Sequence, residues 1–284
     1  MKTKSVLTFI LKTLLLSAVM LIVTIVISMI RPLSPEGNAA HNEGTIMLLL
    51  FAVTSVYALT IGLVIKNARG SRLQLILGLL LAFYGVQTVV GQIEAIFFLT
   101  PLGENWGAGS VTVMQMPLDF IVSQFIIWGM VAIVGVPVAV YLFGRKQQGD
   151  RKPVQLIPKM KASQWVSKIA IVILAYELLY FGFGYFVAWK DPAVQAFYQG
   201  TDPGSFFAQM HHVATQTPGL PVLQAFRAIL WMAFILPVIG MLRHQGWLGA
   251  VLTALFISLP MNIPHIIPNP YMPAEVRMVH FIET

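Results

Sequence analysis

The chain has 284 residues, 57% of them hydrophobic and 10% charged, where a soluble globular domain carries about 25% charged residues. It contains no cysteine, which excludes disulfides, thiolate metal sites and thiol catalysis together. The net charge of +7 would suggest a nucleic-acid partner in a soluble protein; here the excess is explained by loops facing anionic lipid, and no nucleic-acid binding is expected.

Seven apolar runs follow one another, at residues 13–30, 45–65, 73–99, 118–143, 166–189, 222–242 and 247–263. Most reach the length of about 20 residues that a helix needs to cross a bilayer core. The expected fold is all-α: one polytopic membrane bundle over 1–284 with seven transmembrane helices, or eight if the chain is truncated before a further span. The connections alternate between basic and acidic. Fourteen of the 18 Lys and Arg fall on one side, from Lys2, Lys4 and Lys12 to Arg243; Arg31, Lys190 and Arg277 lie opposite, and Arg227 lies within a span. Short loops rich in Lys and Arg stay cytoplasmic, so the N-terminus is expected inside and the C-terminal segment outside, in a plasma (inner) membrane. Acidic residues follow the complementary pattern: Glu36, Glu43, Glu104, Asp119, Asp191, Asp202, Glu275 and Glu283 lie outside.

Lys2 and Lys4 before the first run imitate a signal peptide, but the run is long and no small-x-small site precedes Arg31-Pro32, so an uncleaved anchor is expected. The third run carries a polar stripe. On a helical wheel Tyr84, Gln87, Thr88, Gly91, Gln92, Glu94 and Ala95 occupy a sector of about 160°, which faces protein or water rather than lipid. Glu94 lies roughly 8 Å below the outer end of its span. Asp119 and Gln124 open the fourth run from the same side. Residues 144–164 are rich in Lys, Pro and Gln and read as a solvated basic cytoplasmic loop near the lipid surface, without a glycine-rich phosphate cradle.

Glu177 falls near the middle of the fifth run, where an ionised carboxylate costs about 2.5–3.5 kcal/mol. It is expected either to be protonated or to meet a cation or a hydrogen-bond network, with Tyr176 and Tyr180 beside it. Gly184 and Ala188 continue its face and would permit close helix packing. In the outer segment 190–221, Asp191-Pro192 and Asp202-Pro203 repeat one helix-start signal, an Asp cap followed by Pro at the first helical position. Two short interfacial helices are expected there, lying as a lid over the bundle.

Arg227 lies some five residues below the outer end of the sixth run. Its depth matches that of Glu94, so these two are expected to pair, with Glu94 ionised and the deeper Glu177 neutral. The end of the seventh run holds Pro260, Pro264, Pro268, Pro270 and Pro273 with Asn262, His265 and Asn269 among them. Irregular backbone of this kind is tolerated at membrane depth only against protein or a wet cavity. Pro273 then opens a last helical segment with Arg277, His280 and Thr284 on one face and Met278, Phe281 and Ile282 on the other, suited to the interface or to the start of an eighth span.

These residues define an expected outward-facing vestibule between spans three and seven, with Glu94, Glu177, Arg227, His265, Gln92, Tyr180 and Asn262 as its candidates. His41, His211, His212, His265 and His280 lie on the same side without a standard ligand spacing. A metal site on His211, His212 and His280 is the weakest of the readings, and no cofactor is implied. Outside the broken end of the seventh run the spans contain no histidine for a haem bundle and no lysine for a retinal Schiff base, and no Walker loop is present. The pattern names no reaction. A small-solute or ion transporter is the leading functional expectation. The alternatives are an enzyme acting on a lipid-phase or outer-face substrate, with Glu94 and His265 as acid and base, and a sensor or assembly factor for a membrane complex. The bilayer is the one partner the sequence names.

Overall fold

A computed structural model of the chain describes residues 3–31, 43–107, 115–144 and 153–283. Among the described residues the regular structure is all helical, with one isolated bridge, Asn269 to Met272, in the irregular connections. Seven helices are long and apolar enough to cross a membrane. The first, α1 (Thr3–Ile30), leaves Leu7, Leu11, Leu15, Ile22, Val26 and Met29 exposed. An apolar surface of that extent is at home in hydrocarbon rather than water, and the chain is an integral membrane protein.

The remaining long helices are α2 (Glu43–Asn67), the third span formed by α3 (Arg72–Tyr84) and α4 (Val90–Leu99), α5 (Leu118–Phe143), α6 (Ala162–Phe186), α9 (Gly219–Leu242) and α10 (Trp247–Asn262). A single π-turn, Gly85–Val89, joins α3 to α4. It lies where the third span crosses α9: a Cβ on Gly85 would sit 2.3 Å from the Phe234 ring, so only glycine admits this approach. The wheel drawn from a regular 3.6-residue period contains no such turn, which is the first departure from the sequence expectation.

Contacts tie the span ends into two groups. At one end Lys12 Nζ donates to Leu142 O, Arg69 N to Met241 O and Gln245 Nε2 to Asn67 O; this is the basic end. At the other, Met116 N donates to Leu99 O, Gly219 N to Gly107 O and Trp189 Nε1 to Gln209 Oε1; this is the lid end. The largest apolar core joins α1, α2, α3, α5, α9 and α10, with Leu16, Tyr57, Phe83, Val131, Val238 and Phe256 fully buried. Tyr57 packs edge-on against Phe83 and Trp128, with centroids 5.1 and 5.7 Å apart. A second cluster at the lid end joins Leu99, Met116, Val194, Phe197 and Val276.

The basic segment is more closely tied to the helices than a free loop would be. Residues 145–152 lie outside the described residues, as do Glu36 and His41. The part that follows rests on the bundle through alternate residues, Val154 and Leu156 being half-buried while Gln155, Lys159 and Lys161 are exposed. Ser71 caps α3 in a capping box with Gln74, and the Gln74 amide also donates to Val154 O at 2.7 Å and accepts from Val154 N at 3.0 Å. Gly240 on α9 lies against Leu156, whose carbonyl would be 2.3 Å from an added Cβ.

The two Asp-Pro signals also diverge. Asp191 caps α7 (Pro192–Phe197) as expected, its Oδ1 accepting from Ala193 N at 2.8 Å. Asp202 does not start a helix. Its carboxylate accepts from Lys190 Nζ at 2.7 Å and from Gly204 N, which together hold it below the usual carboxylate range. Gly204 turns the chain at φ +83°, and α8 (Phe206–Gln216) begins under a Ser205 cap instead. Finally, α11 (Ala274–Glu283) follows Pro273, burying Val276 against the lid-end cluster and leaving Met278 and Ile282 exposed.

The seating of the basic segment is testable. Gly240→Ala forces the Leu156 backbone to move and should lower stability by about 1–3 kcal/mol. Gly182→Ala on α6, whose Cβ would meet nothing within 4 Å, should cause no loss. Thermal unfolding in detergent compares them; equal midpoints would mean that this segment does not rest on α9.

Candidate functional site

A cavity of about 640 Å³ opens at the lid end, within the range of small-molecule sites. At its centre Arg227 Nη1 donates to Glu94 Oε1 at 2.6 Å and to Gln224 Oε1 at 2.9 Å. The Arg227 side chain is 2% exposed and that of Glu94 20%. Gln224 is one turn before Arg227 on α9, so helix geometry itself brings the amide under the guanidinium. On the third side the guanidinium lies 6.0 Å over the Tyr176 ring, which stacks with Tyr180 at 6.3 Å. A charge carried this deep requires such a shell, because each missing contact would leave part of its desolvation uncompensated.

The polar stripe of the third span supplies one wall. Gln87, Gly91, Gln92, Glu94 and Ala95 all line the cavity, and Gly91 leaves its space open: nothing lies within 4 Å of the position a methyl group would take there. Below them Gln87 Nε2 donates to Tyr57 OH at 3.1 Å, and Thr88 Oγ1 donates to Gln87 Oε1. This joins the floor of the cavity to the buried Tyr57–Phe83–Trp128 group. The broken end of α10 supplies the opposite wall through Asn262, Pro264, His265 and Asn269.

The roof comes from α7 and α11. Tyr198, just after α7, shares a hydrogen bond with His280 Nε2 at 3.1 Å, and the His280 ring stacks on His265 at 5.6 Å. Arg277 donates to His265 O and Met272 O, each at 3.2 Å, and burial holds its guanidinium below the ordinary arginine range. The expected second roof helix is not part of this arrangement. α8 turns its aromatics to α6 instead, Phe206 stacking on Phe186 at 5.8 Å, and contributes no lining residue.

Of the seven vestibule candidates, the cavity brings together Glu94, Arg227, His265, Gln92, Tyr180 and Asn262. Glu177 is not among its lining residues, and no hydrogen bond or ion pair involves it among the described residues. It points away because Tyr176 and Tyr180, four residues apart, share the inner face of α6 and place Glu177 about 100° from it. Gly184 meets nothing within 4 Å and so does not mediate the close packing expected of it, whereas Ala188, just after α6, packs on the lid-end cluster. His211 and His212 are exposed on α8 and do not line the cavity that His280 lines, and the described residues hold no group of three metal-ligating side chains. The cavity also reaches Thr24 on α1 and Ile46 and Leu50 on α2, beyond the five spans expected to form it.

Sequence reasoning missed Trp231 and Gln224. The signal was present: Gln224, Arg227 and Trp231 lie at i, i+3 and i+7, one face of one helix. Among the described residues Trp231 Nε1, Gln224 Nε2 and Gln92 Oε1 are buried without a hydrogen-bond partner. Of these residues Trp231 and Gln92 line the cavity and Gln224 does not, so beside the ion pair the lining carries one unused donor and one unused acceptor.

No protein-family model, curated protein or solved structure matches the chain.

The two acidic residues should separate in a stability measurement. Glu94→Gln strands a buried guanidinium and should cost about 3–5 kcal/mol, whereas Glu177→Gln should change stability by no more than about 1 kcal/mol. Thermal unfolding of both variants in detergent is the check; equal losses, or a greater loss at Glu177, would contradict this assignment.

Proposed function

We propose that the protein binds a small ligand in a vestibule open toward the outer side of the plasma membrane and closed toward the cytoplasm. The observation that carries this reading is the placement of the Glu94–Arg227 pair inside a 640 Å³ cavity at the lid end. Beneath it, at the basic end, lie the fully buried Leu79, Phe83 and Val131. The distribution of Lys and Arg supports the orientation, since the basic end is the one that short-loop charge retains in the cytoplasm.

The closed floor favours binding, or chemistry on a bound ligand, over conduction. Glu94 is engaged by Arg227 and is therefore a positioning charge in this state rather than a ready base. Transport of a small solute or ion is the second reading. It is favoured by the helix breaks that flank the site, the π-turn Gly85–Val89 and the proline-interrupted end of α10, because such breaks are where transporter helices bend around a substrate.

The absence of native cysteine makes the test direct. Gln92→Cys in sealed, oriented vesicles should react with a membrane-impermeant thiol reagent from the outer side alone, and Leu79→Cys should stay unreactive from both sides. Reaction of Gln92→Cys from the cytoplasmic side would contradict the proposal. Solute or ion flux in proteoliposomes that the cavity-lining variant Gln92→Leu abolishes would establish the transport reading in its place.

A further inference from the structure

Part of the wall of this cavity is exposed along the middle of a helix long and apolar enough to cross a membrane. Val172 and Leu179 both line the cavity, yet they are 37% and 73% exposed. Along α6 they lie roughly 21 and 10 Å from Phe186 at the lid end, within the hydrocarbon layer. Phe120 and Ile127 of α5 line the cavity as well, Phe120 half-buried and Ile127 buried. α6 itself packs on α9 and α8 and has no comparable packing on α5, so the gap between α5 and α6 is the candidate for a lateral mouth.

Inside that mouth the chemistry is specific. Trp231 is 8% exposed, lines the cavity and has an indole N–H without a hydrogen-bond partner. It lies roughly 18 Å along α9 from Gly219, near mid-bilayer. Gln92 also lines the cavity, and its Oε1 is a buried acceptor without a partner. A buried polar atom left this way costs free energy that a bound group can recover. The charge of Arg227 is already met by Glu94, so an ionic headgroup brought to this depth would add an uncompensated charge.

We propose that the vestibule takes a neutral membrane lipid carrying a carbonyl or hydroxyl head, which arrives sideways between α5 and α6. Its polar oxygen accepts from Trp231 Nε1, its apolar body lies against Leu179, Phe183 and Phe120, and the remainder extends through the mouth into the bilayer. This rests on the vestibule reading above and specifies its ligand. Two sources share the chemistry. A quinone-type ring offers acceptors alone, while a long-chain alcohol accepts from Trp231 and also donates to Gln92.

The test uses four probes of matched chain length with the purified full-length protein in detergent, with Kd read by native mass spectrometry: a decyl-substituted benzoquinone, dodecanol, dodecanoate and dodecyltrimethylammonium. At least one neutral probe should bind more tightly than both ions. Trp231→Phe, which keeps the ring and removes the donor, should weaken that probe about threefold to tenfold. Gln92→Leu should weaken dodecanol and leave the quinone unchanged, a pattern that a general packing defect would not produce. Leu179→Trp should slow association of the neutral probe while aqueous labelling of Gln92→Cys keeps its rate. Tighter binding of dodecanoate or of the ammonium probe, or unchanged affinity in Trp231→Phe, would overturn the proposal. So would labelling of Gln92→Cys from outside with no neutral probe bound, and in that case the vestibule itself would stand.

Discussion

The structure is organised around one buried charge. Arg227 places a guanidinium in a span of an integral membrane protein, 2% exposed, and it has to be met from neighbouring helices. The carboxylate comes from Glu94 on the third span, the amide from Gln224 one turn back on the same helix, and an aromatic face from Tyr176 on the fifth. Three helices are thereby held in register at one depth. The π-turn Gly85–Val89 lies one to two turns below, where the third span passes against Phe234 of α9. Without the close approach that Gly85 allows, Glu94 and Arg227 would be pushed apart.

A second consequence concerns the space around the pair. Side chains that satisfy a guanidinium are polar, and polar side chains at membrane depth exclude lipid from their own face. The stripe from Gln87 to Glu94 and the asparagine- and proline-rich end of α10 therefore enclose a volume rather than pack flat. Apolar packing resumes toward the basic end, where Tyr57, Phe83 and Trp128 interlock. The boundary between the two regimes is the Gln87–Tyr57 hydrogen bond. At the other end, the roof is held by the His265–His280 stack and the Tyr198 hydroxyl, all from segments outside regular transmembrane helix.

Much of this was legible in the chain because burial in a membrane makes each ionisable residue conspicuous. The seven apolar runs follow from length alone, and the meeting of Glu94 with Arg227 follows from equal depth. The orientation of Glu177 was not legible, because two tyrosines flank it and only one of the two adjacent faces of α6 turns inward. The Asp202-Pro203 signal misled for a local reason: Gly204 takes a positive φ and the carboxylate is drawn to Lys190, leaving Ser205 to cap the helix. The π-turn was invisible to any argument that assumes a constant 3.6-residue period. Trp231 is apolar by type and carries no charge to mark it; only its spacing from Arg227 puts it on the same face.

The most direct measurement of this account is a double-mutant cycle on the central pair. Glu94→Gln, Arg227→Gln and the double variant would be unfolded thermally in one detergent and compared with the parent chain. A pair that is buried and mutually compensating predicts strong coupling: each single change is costly, and the double variant is more stable than the sum of the two losses implies, by about 2 kcal/mol or more. Strictly additive losses would contradict it, showing that Glu94 and Arg227 are satisfied independently and that the vestibule is not built around their contact.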